Sequence, residues 1–225
     1  MTEMSGGAAA VAALQAEGVS HMFGLIGSAT MELFDALYDA EDIHFVGVHD
    51  ERTGMHMADG FARASGQAGV MLAGQNGPGT TNLLTGLAQA RAAYSPVVSL
   101  AGSLASGHVY RDAFQEVDQQ SVFVPVTKKV WTAPSADRVP ELMREAFRVA
   151  LSPRKGPVHL NLPRDVLSAN HTFEPMQEPR TYRNHSVPAA HPDAIRDAAD
   201  LLAQQPRSPR HSTVRSSAHP ATAMP

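Results

Sequence analysis

Short apolar runs alternate along this chain with longer amphipathic ones, and that alternation limits the fold more than any other feature. The short runs fall at residues 21–26, 43–48, 70–73, 96–101 and 158–162. They are too brief for helices and apolar at nearly every position, which predicts strands buried on both faces. Between them lie helical patterns. Ser5 can cap a helix over 8–16 that Gly18 ends. A second helix covers 31–39, with Leu33, Phe34 and Leu37 on one face. Others cover 51–64, stopped by Gly66, then 80–90 and 139–151. A tight loop is expected at 74–79, a longer one at 102–113, a short helix at 117–123 and an extended piece at 128–131. Strand and helix in alternation predict an α/β fold: a doubly wound parallel sheet with helices on both faces. Sites in such folds lie beyond the carboxyl ends of the strands. Gly27, the Asp50-Glu51 pair, the 74–79 loop and residues 102–106 all fall there.

Composition excludes several classes. The 225 residues carry a net charge of −4, which argues against nucleic acid as a partner. There is no cysteine, so disulfides and thiolate metal sites are out, and a reducing cytoplasm is the expected compartment. No basic n-region precedes an apolar run, so no signal peptide is expected. No apolar stretch is long enough to span a membrane. Residues 1–167 form the expected domain. Residues 168–190 turn polar and proline-containing and read as a linker, and 191–205 as the start of a truncated second domain, opening on a helix over 192–205. The tail, 206–225, is rich in proline, arginine and serine and holds no acid, so disorder is expected, with a shifted reading frame as one account of it.

Several residues have two readings. Glu51 sits where an apolar strand hands over to a helix, in "GVHDERTGMHMADGFARASG". A carboxylate there either favours the helix dipole, by about 0.3–1 kcal/mol, or does chemistry. The histidines nearby, His44, His49 and His56, do not share a helix face at metal-binding spacing, so no metal site is expected. "AGQNGPGTTN", 73–82, follows a strand and opens a helix. It lacks the lysine of a P-loop and is not G-x-G-x-x-G. A Pro-Gly turn that allows close packing is as good a reading as a cradle for a polar ligand at Asn82. Phe114, in "DAFQEVDQ", either caps a site or anchors a loop. Arg154 and Lys155 are anion contacts or plain solubility charges.

Taken in order, "FGLIGSA", "HDERTGMHMADGFARASG", "GQNGPGTTNLLTGLAQA", "SPVVSLAG", "DAFQEVDQ", "PVTKKVW" and "GPVHLNLPRDV" resemble the N-terminal pyrimidine-binding domain of thiamine-diphosphate enzymes. Within that superfamily the text looks most like the acetolactate synthase large subunit. The resemblance implies that Glu51 hydrogen-bonds N1′ of the cofactor's aminopyrimidine ring and is the catalytic residue. Burial favours the proton-bound form of a carboxyl group. Sharing that proton with the ring shifts the exocyclic amine toward an imino form able to take the thiazolium C2 proton.

By the same resemblance Gly27 and Ser28 turn over the cofactor, where the synthases usually have proline-glycine-glycine. Pro78 and Asn82 flank the pyrimidine, Gln115 contacts the cofactor, and Phe114 with Gln115 lines the substrate channel. Arg154 matches a flavin-contacting arginine. Only the pyrimidine end of thiamine diphosphate is implied for this chain. Mg²⁺, and FAD as an open alternative, belong to the full-length relatives, which hold the diphosphate through a Gly-Asp-Gly…Asn segment not found here.

The implied activity is decarboxylation of a 2-oxo acid with transfer of the two-carbon unit, as in branched-chain amino acid biosynthesis. This chain alone is expected to be inactive and to act as a homo-oligomer or beside a full-length subunit. "GSA" with "QNGPG" is also similar to sulfoacetaldehyde acetyltransferases. Another carboligase or decarboxylase, or a non-catalytic dimerisation module, remain the alternatives.

Overall fold

A strand and a helix open the fold, β1 (Thr2–Ser5) and α1 (Gly6–Ala16), followed by β2 (His21–Gly24), α2 (Met31–Tyr38), β3 (His44–Gly47) and α3 (Glu51–Ser65). Then come β4 (Gly69–Ala73), α4 (Pro78–Thr81), α5 (Leu84–Ala92), β5 (Val97–Ser103), α6 (Gln119–Phe123) and β6 (Val130–Thr132). The last elements are α7 (Val139–Leu151), β7 (Val158–Pro163), α8 (Arg164–Ser168), β8 (Asn170–Phe173) and α9 (Pro192–Gln204). These come from a computed structural model, which describes residues 1–183 and 189–204. The chain divides into two units, Met1–Asn184 and His185–Pro225. The expected disordered tail, 206–225, lies outside the described residues, as does part of the expected linker.

Six strands form one sheet in the order β3-β2-β4-β5-β7-β6, and every neighbouring pair is parallel. Side chains alternate across it with the period of a strand. Val70, Leu72, Val98 and Leu100 join one buried cluster with Leu14 of α1, Leu33 of α2 and Met143 and Phe147 of α7. Met71, Ala73, Val97 and Ala101 join the other, with Met55 and Ala58 of α3, Leu87 of α5 and Phe123 of α6. Each fully buried large apolar side chain contributes about 1.5–3 kcal/mol, so these two faces hold the unit together. The expected doubly wound sheet is therefore the observed one. Chain direction across it reverses between β2 and β4, which makes the gap beyond their carboxyl ends the topological switch point.

Three details depart from the sequence reading. β1 and β8 were not expected. They pair antiparallel in a separate two-stranded ribbon, Thr2 opposite Phe173 and Ser5 opposite Asn170. The stretch read as a linker from residue 168 thus begins with a paired strand and a buried Phe173, and the first unit runs on to Asn184. The helix expected at 80–90 is broken between α4 and α5. Leu83 N bonds Thr80 O, three residues back, at 3.1 Å, and this tight turn ends one helix before the next begins. The helix expected at 192–205 is present as α9, with Ile195, Leu201 and Leu202 exposed.

One buried polar chain crosses the sheet. Ser99 on β5 lies 3.0 Å from His159 Nδ1, and His159 Nε2 lies 2.9 Å from Asn161 Oδ1 on β7. Gln119 Nε2 donates to the same Asn161 oxygen at 2.6 Å. An amide oxygen only accepts, so His159 donates from Nε2 and accepts the Ser99 hydroxyl at Nδ1. Phe123 stacks on the imidazole at 3.8 Å between centroids. Burial pushes the His159 pKa down from 6.5 to about 4, against the smaller opposing effect of its hydrogen bond with Asn161. Between those values the unfolded chain binds a proton that the folded one refuses. His159 therefore adds stability that is complete above pH 6.5 and lost as pH falls toward 4, about 3 kcal/mol in all. Urea melts at stepped pH should show this loss. A decline that sets in only below pH 4 would contradict it.

Candidate active site

The two carboxylates at the head of α3 have different tasks. Asp50 has extended backbone angles (φ −155°, ψ 128°), and its Oδ1 accepts from Arg52 N at 2.8 Å and Thr53 N at 3.3 Å. It is the N-cap. Asp50→Ala should cost about 1 kcal/mol in thermal or urea unfolding; a loss below a few tenths would remove it from that role. Glu51, one residue on, turns inward and is 5 % exposed. Asn82 Nδ2, at the break between α4 and α5, donates to Glu51 Oε2 at 3.0 Å. Oε1 faces the bare α-carbon of Gly79, where an added Cβ would come within 2.9 Å. Among the described residues no donor reaches Oε1, and the atom is not sealed from solvent.

Beside it, at the switch point, two turns touch backbone to backbone. A Cβ on Gly27 would lie 2.2 Å from Gly74 O, and one on Gly74 would lie 2.1 Å from Leu25 O. Ala29 N donates to Gly74 O at 3.1 Å across the contact. From there hydrogen bonds run outward. Ser28 Oγ donates to Gln75 Oε1 at 2.9 Å, and Gln75 Nε2 donates to Gln115 Oε1 at 2.7 Å. Asn76 Nδ2 donates to the carbonyls of Gln115 at 3.1 Å and Phe114 at 3.4 Å. Gly77 has φ +57° and lies against Gln115: a Cβ there would meet Gln115 O at 2.3 Å. Pro78 then starts α4 as its first residue. The 74–79 loop is therefore a close-packing turn, and its two amide side chains carry hydrogen bonds out to Ser28, Phe114 and Gln115.

Gly27, Ser28, Glu51, Pro78, Asn82 and Gln115 thus share one edge of the sheet, and Phe114 stands over it 80 % exposed. Arg154 does not join them. It precedes β7, at the amino end of the strands, and its guanidinium lies 5.6 Å from the Tyr94 ring, just before β5. Gln75, Asn76 and Gly79 are site-forming residues that sequence reasoning did not assign. Their only signal was a pair of amides inside a glycine loop after a buried strand. A separate pocket of about 480 Å³ opens at the same edge between the ends of β5, β6 and β7, floored by Gln119, Thr132 and Asn161. Among the described residues no three His, Asp or Glu side chains converge on a common point, and no helix is long and apolar enough to cross a membrane.

An inward carboxyl group, one oxygen of which meets no donor among the described residues, thus stands at the switch point of a doubly wound parallel sheet. The family described as "Thiamine pyrophosphate enzyme, N-terminal TPP binding domain" matches residues 4–122, and the chain belongs to that family. Among curated proteins it is similar to a probable acetolactate synthase large subunit of Methanocaldococcus jannaschii, 42% identical over 209 residues, 91% of this chain and 35% of that one. It is 42% identical over 172 residues to the acetolactate synthase isozyme 2 large subunit of Escherichia coli, 76% of this chain and 31% of that one. It is 36% identical over 205 residues to the acetolactate synthase large subunit IlvB1 of Mycobacterium tuberculosis, 90% and 33%. The chain spans about a third of the length of these relatives.

Proposed function

We propose that this chain is the cofactor-activating part of an acetolactate-synthase-like enzyme, with Glu51 as the acid that engages the aminopyrimidine of thiamine diphosphate. One observation carries this: a carboxyl group 5 % exposed whose Oε1 has no donor among the described residues and lies beside a glycine that leaves it room. A ring nitrogen able to share one proton with it is the partner such an oxygen lacks. Asn82 fixes the other oxygen and so the plane of the carboxyl group. Gly79 keeps a Cβ away from Oε1, and Gly27 lets the two turns at the switch point touch. Gln115 and Phe114 border the path by which a 2-oxo acid would enter.

When bound, thiamine diphosphate supplies the acidic C2 carbon that adds to the 2-oxo acid; Glu51 holds the proton whose sharing activates it. The names of the relatives support a two-carbon transfer onto an acceptor as the overall reaction. We place Mg²⁺ and the diphosphate on a second subunit, so this chain alone would be inactive and would work in the cytoplasm beside a full-length partner. A flavin contact at Arg154 is proposed only for the full-length assembly.

The test is complementation. A full-length acetolactate synthase subunit whose glutamate matching Glu51 is changed to glutamine is mixed with this chain. Exchange of the thiamine diphosphate C2 proton with deuterium is followed by NMR, together with pyruvate consumption. Both should rise above the level of the disabled subunit alone. Association of the two chains without any gain in exchange would favour a non-catalytic dimerisation module.

A further inference from the structure

The geometry points to Glu116 as a positioning residue whose carboxylate shapes the loop that presents Phe114 and Gln115 to the cleft. Glu116 Oε1 accepts from Tyr110 N at 2.6 Å, and Oε2 accepts from Ala113 N at 3.0 Å. Two backbone N–H groups three residues apart thus turn toward one anion, as in the concave backbone arrangements that otherwise bind a phosphate. Here the anion is the chain's own.

The backbone pays for this shape in conformation. Tyr110 has φ +64°, Asp112 φ +51° and Gln115 φ +61°. All three are left-handed, and none is glycine, so something outside the local preference of these residues holds them there. Glu116 does so from one side. From the other, Asn76 clamps the carbonyls of Phe114 and Gln115, and the missing side chain of Gly77 admits the Gln115 carbonyl. Ser106 N donates to Asp165 Oδ1 at 3.0 Å and ties down the start of the segment. The amides of Tyr110 and Ala113 hold the Glu116 carboxyl below the usual carboxylate range, so the hold persists throughout the neutral range.

A loop built in this way has a purpose in delivering what lies between its two clamps. Those residues are Phe114, 80 % exposed, and Gln115, whose side chain meets Gln75 above the switch point. This role rests on the proposed function, because it assumes that the cleft receives cofactor and 2-oxo acid.

The experiment compares Glu116→Gln with Asp118→Asn in the whole chain. Asp118 is a nearby carboxylate that caps α6, accepting from Ser121 N at 3.1 Å and from the Ser121 hydroxyl, and that makes no hydrogen bond to the 110–115 loop among the described residues. Amide hydrogen exchange at Tyr110 and Ala113 is read on the chain alone. In the complementation mixture, KM for pyruvate is read against kcat. Glutamine keeps the shape but offers a single accepting atom, so Glu116→Gln should speed exchange at Tyr110 or Ala113 at least tenfold. It should also raise KM about tenfold with a smaller fall in kcat. Asp118→Asn should move neither. Unchanged exchange at both amides overturns the proposal, and so does faster exchange with an unchanged KM. A mixture inactive with the unaltered chain sinks the cofactor reading and the role toward substrate with it, while the amide data still decide whether Glu116 holds the loop.

Discussion

Replacing Glu51 with glutamine should slow C2 proton exchange in the complementation mixture by at least about a hundredfold, the usual range for removing a positioned acid or base. The substitution is nearly isosteric. It leaves a carbonyl oxygen for the Asn82 amide, which donates to Glu51 Oε2, and changes nothing in the packing of Met55 or Ala58 behind it. Thermal stability should therefore stay close to that of the parent. What disappears is the ability to carry a proton on the oxygen beside Gly79. The contrast with Asp50 sharpens the test: Asp50→Ala should lower stability with little effect on exchange, and Glu51→Gln should do the reverse. Exchange that survives Glu51→Gln at the parental rate would remove the carboxyl group from the activation step.

Gly27→Ala, together with its reciprocal Gly74→Ala, should add one of the most damaging single methyl groups in the site. Its Cβ would sit 2.2, 2.5 and 2.9 Å from three backbone atoms of Gly74, and backbone atoms cannot rotate aside as a side-chain tip can. Overpacking of this kind costs typically about 1–3 kcal/mol. The strain would fall on the contact that holds Ala29 N on Gly74 O and Ser28 on Gln75. Urea unfolding should register the loss, and C2 exchange should fall with it even under conditions where the chain remains folded. The reciprocal change, Gly74→Ala, meets Leu25 O at 2.1 Å and should behave alike. A Gly27→Ala chain with unaltered unfolding and exchange would mean that the two turns can part freely.

The central sheet was legible because β2, β4, β5 and β7 are buried by helices and so are mostly apolar, with His159 and Asn161 of β7 as buried polar exceptions. β1 and β8 carry no such run. "TEMS" and "NHTF" are mostly exposed, and each becomes a strand only because the other arrives from the far end of the domain. Local pattern contains no trace of such a meeting. Within the site, position was readable and orientation was not. The sequence placed Asp50 and Glu51 together at a strand's carboxyl end, but only the extended backbone at Asp50 sends one to the helix N-terminus and the other inward. The amide relay from Ser28 through Gln75 to Gln115 joins residues 40 and 47 positions apart, beyond any spacing rule. Arg154 lies apart, at the amino end of the strands beside Tyr94, so the flavin contact that the resemblance implies for it belongs to a different face from Glu51. The turn at Gly27, where the synthases usually carry a second glycine instead of Ser28, resolves simply: the close approach needs one glycine, and the serine hydroxyl finds Gln75.

The ribbon of β1 and β8 has a practical side for anyone handling this polypeptide. Thr2 and Phe173 are register partners, and Phe173 with Ala9 and Ala136 forms a small apolar island that Met4 helps to cover. Trimming the first few residues, or fusing a bulky tag directly against them, would strip that cover and leave a sticky spot with an unpaired strand edge next to it. Affinity handles are better carried elsewhere, or set off by a generous spacer.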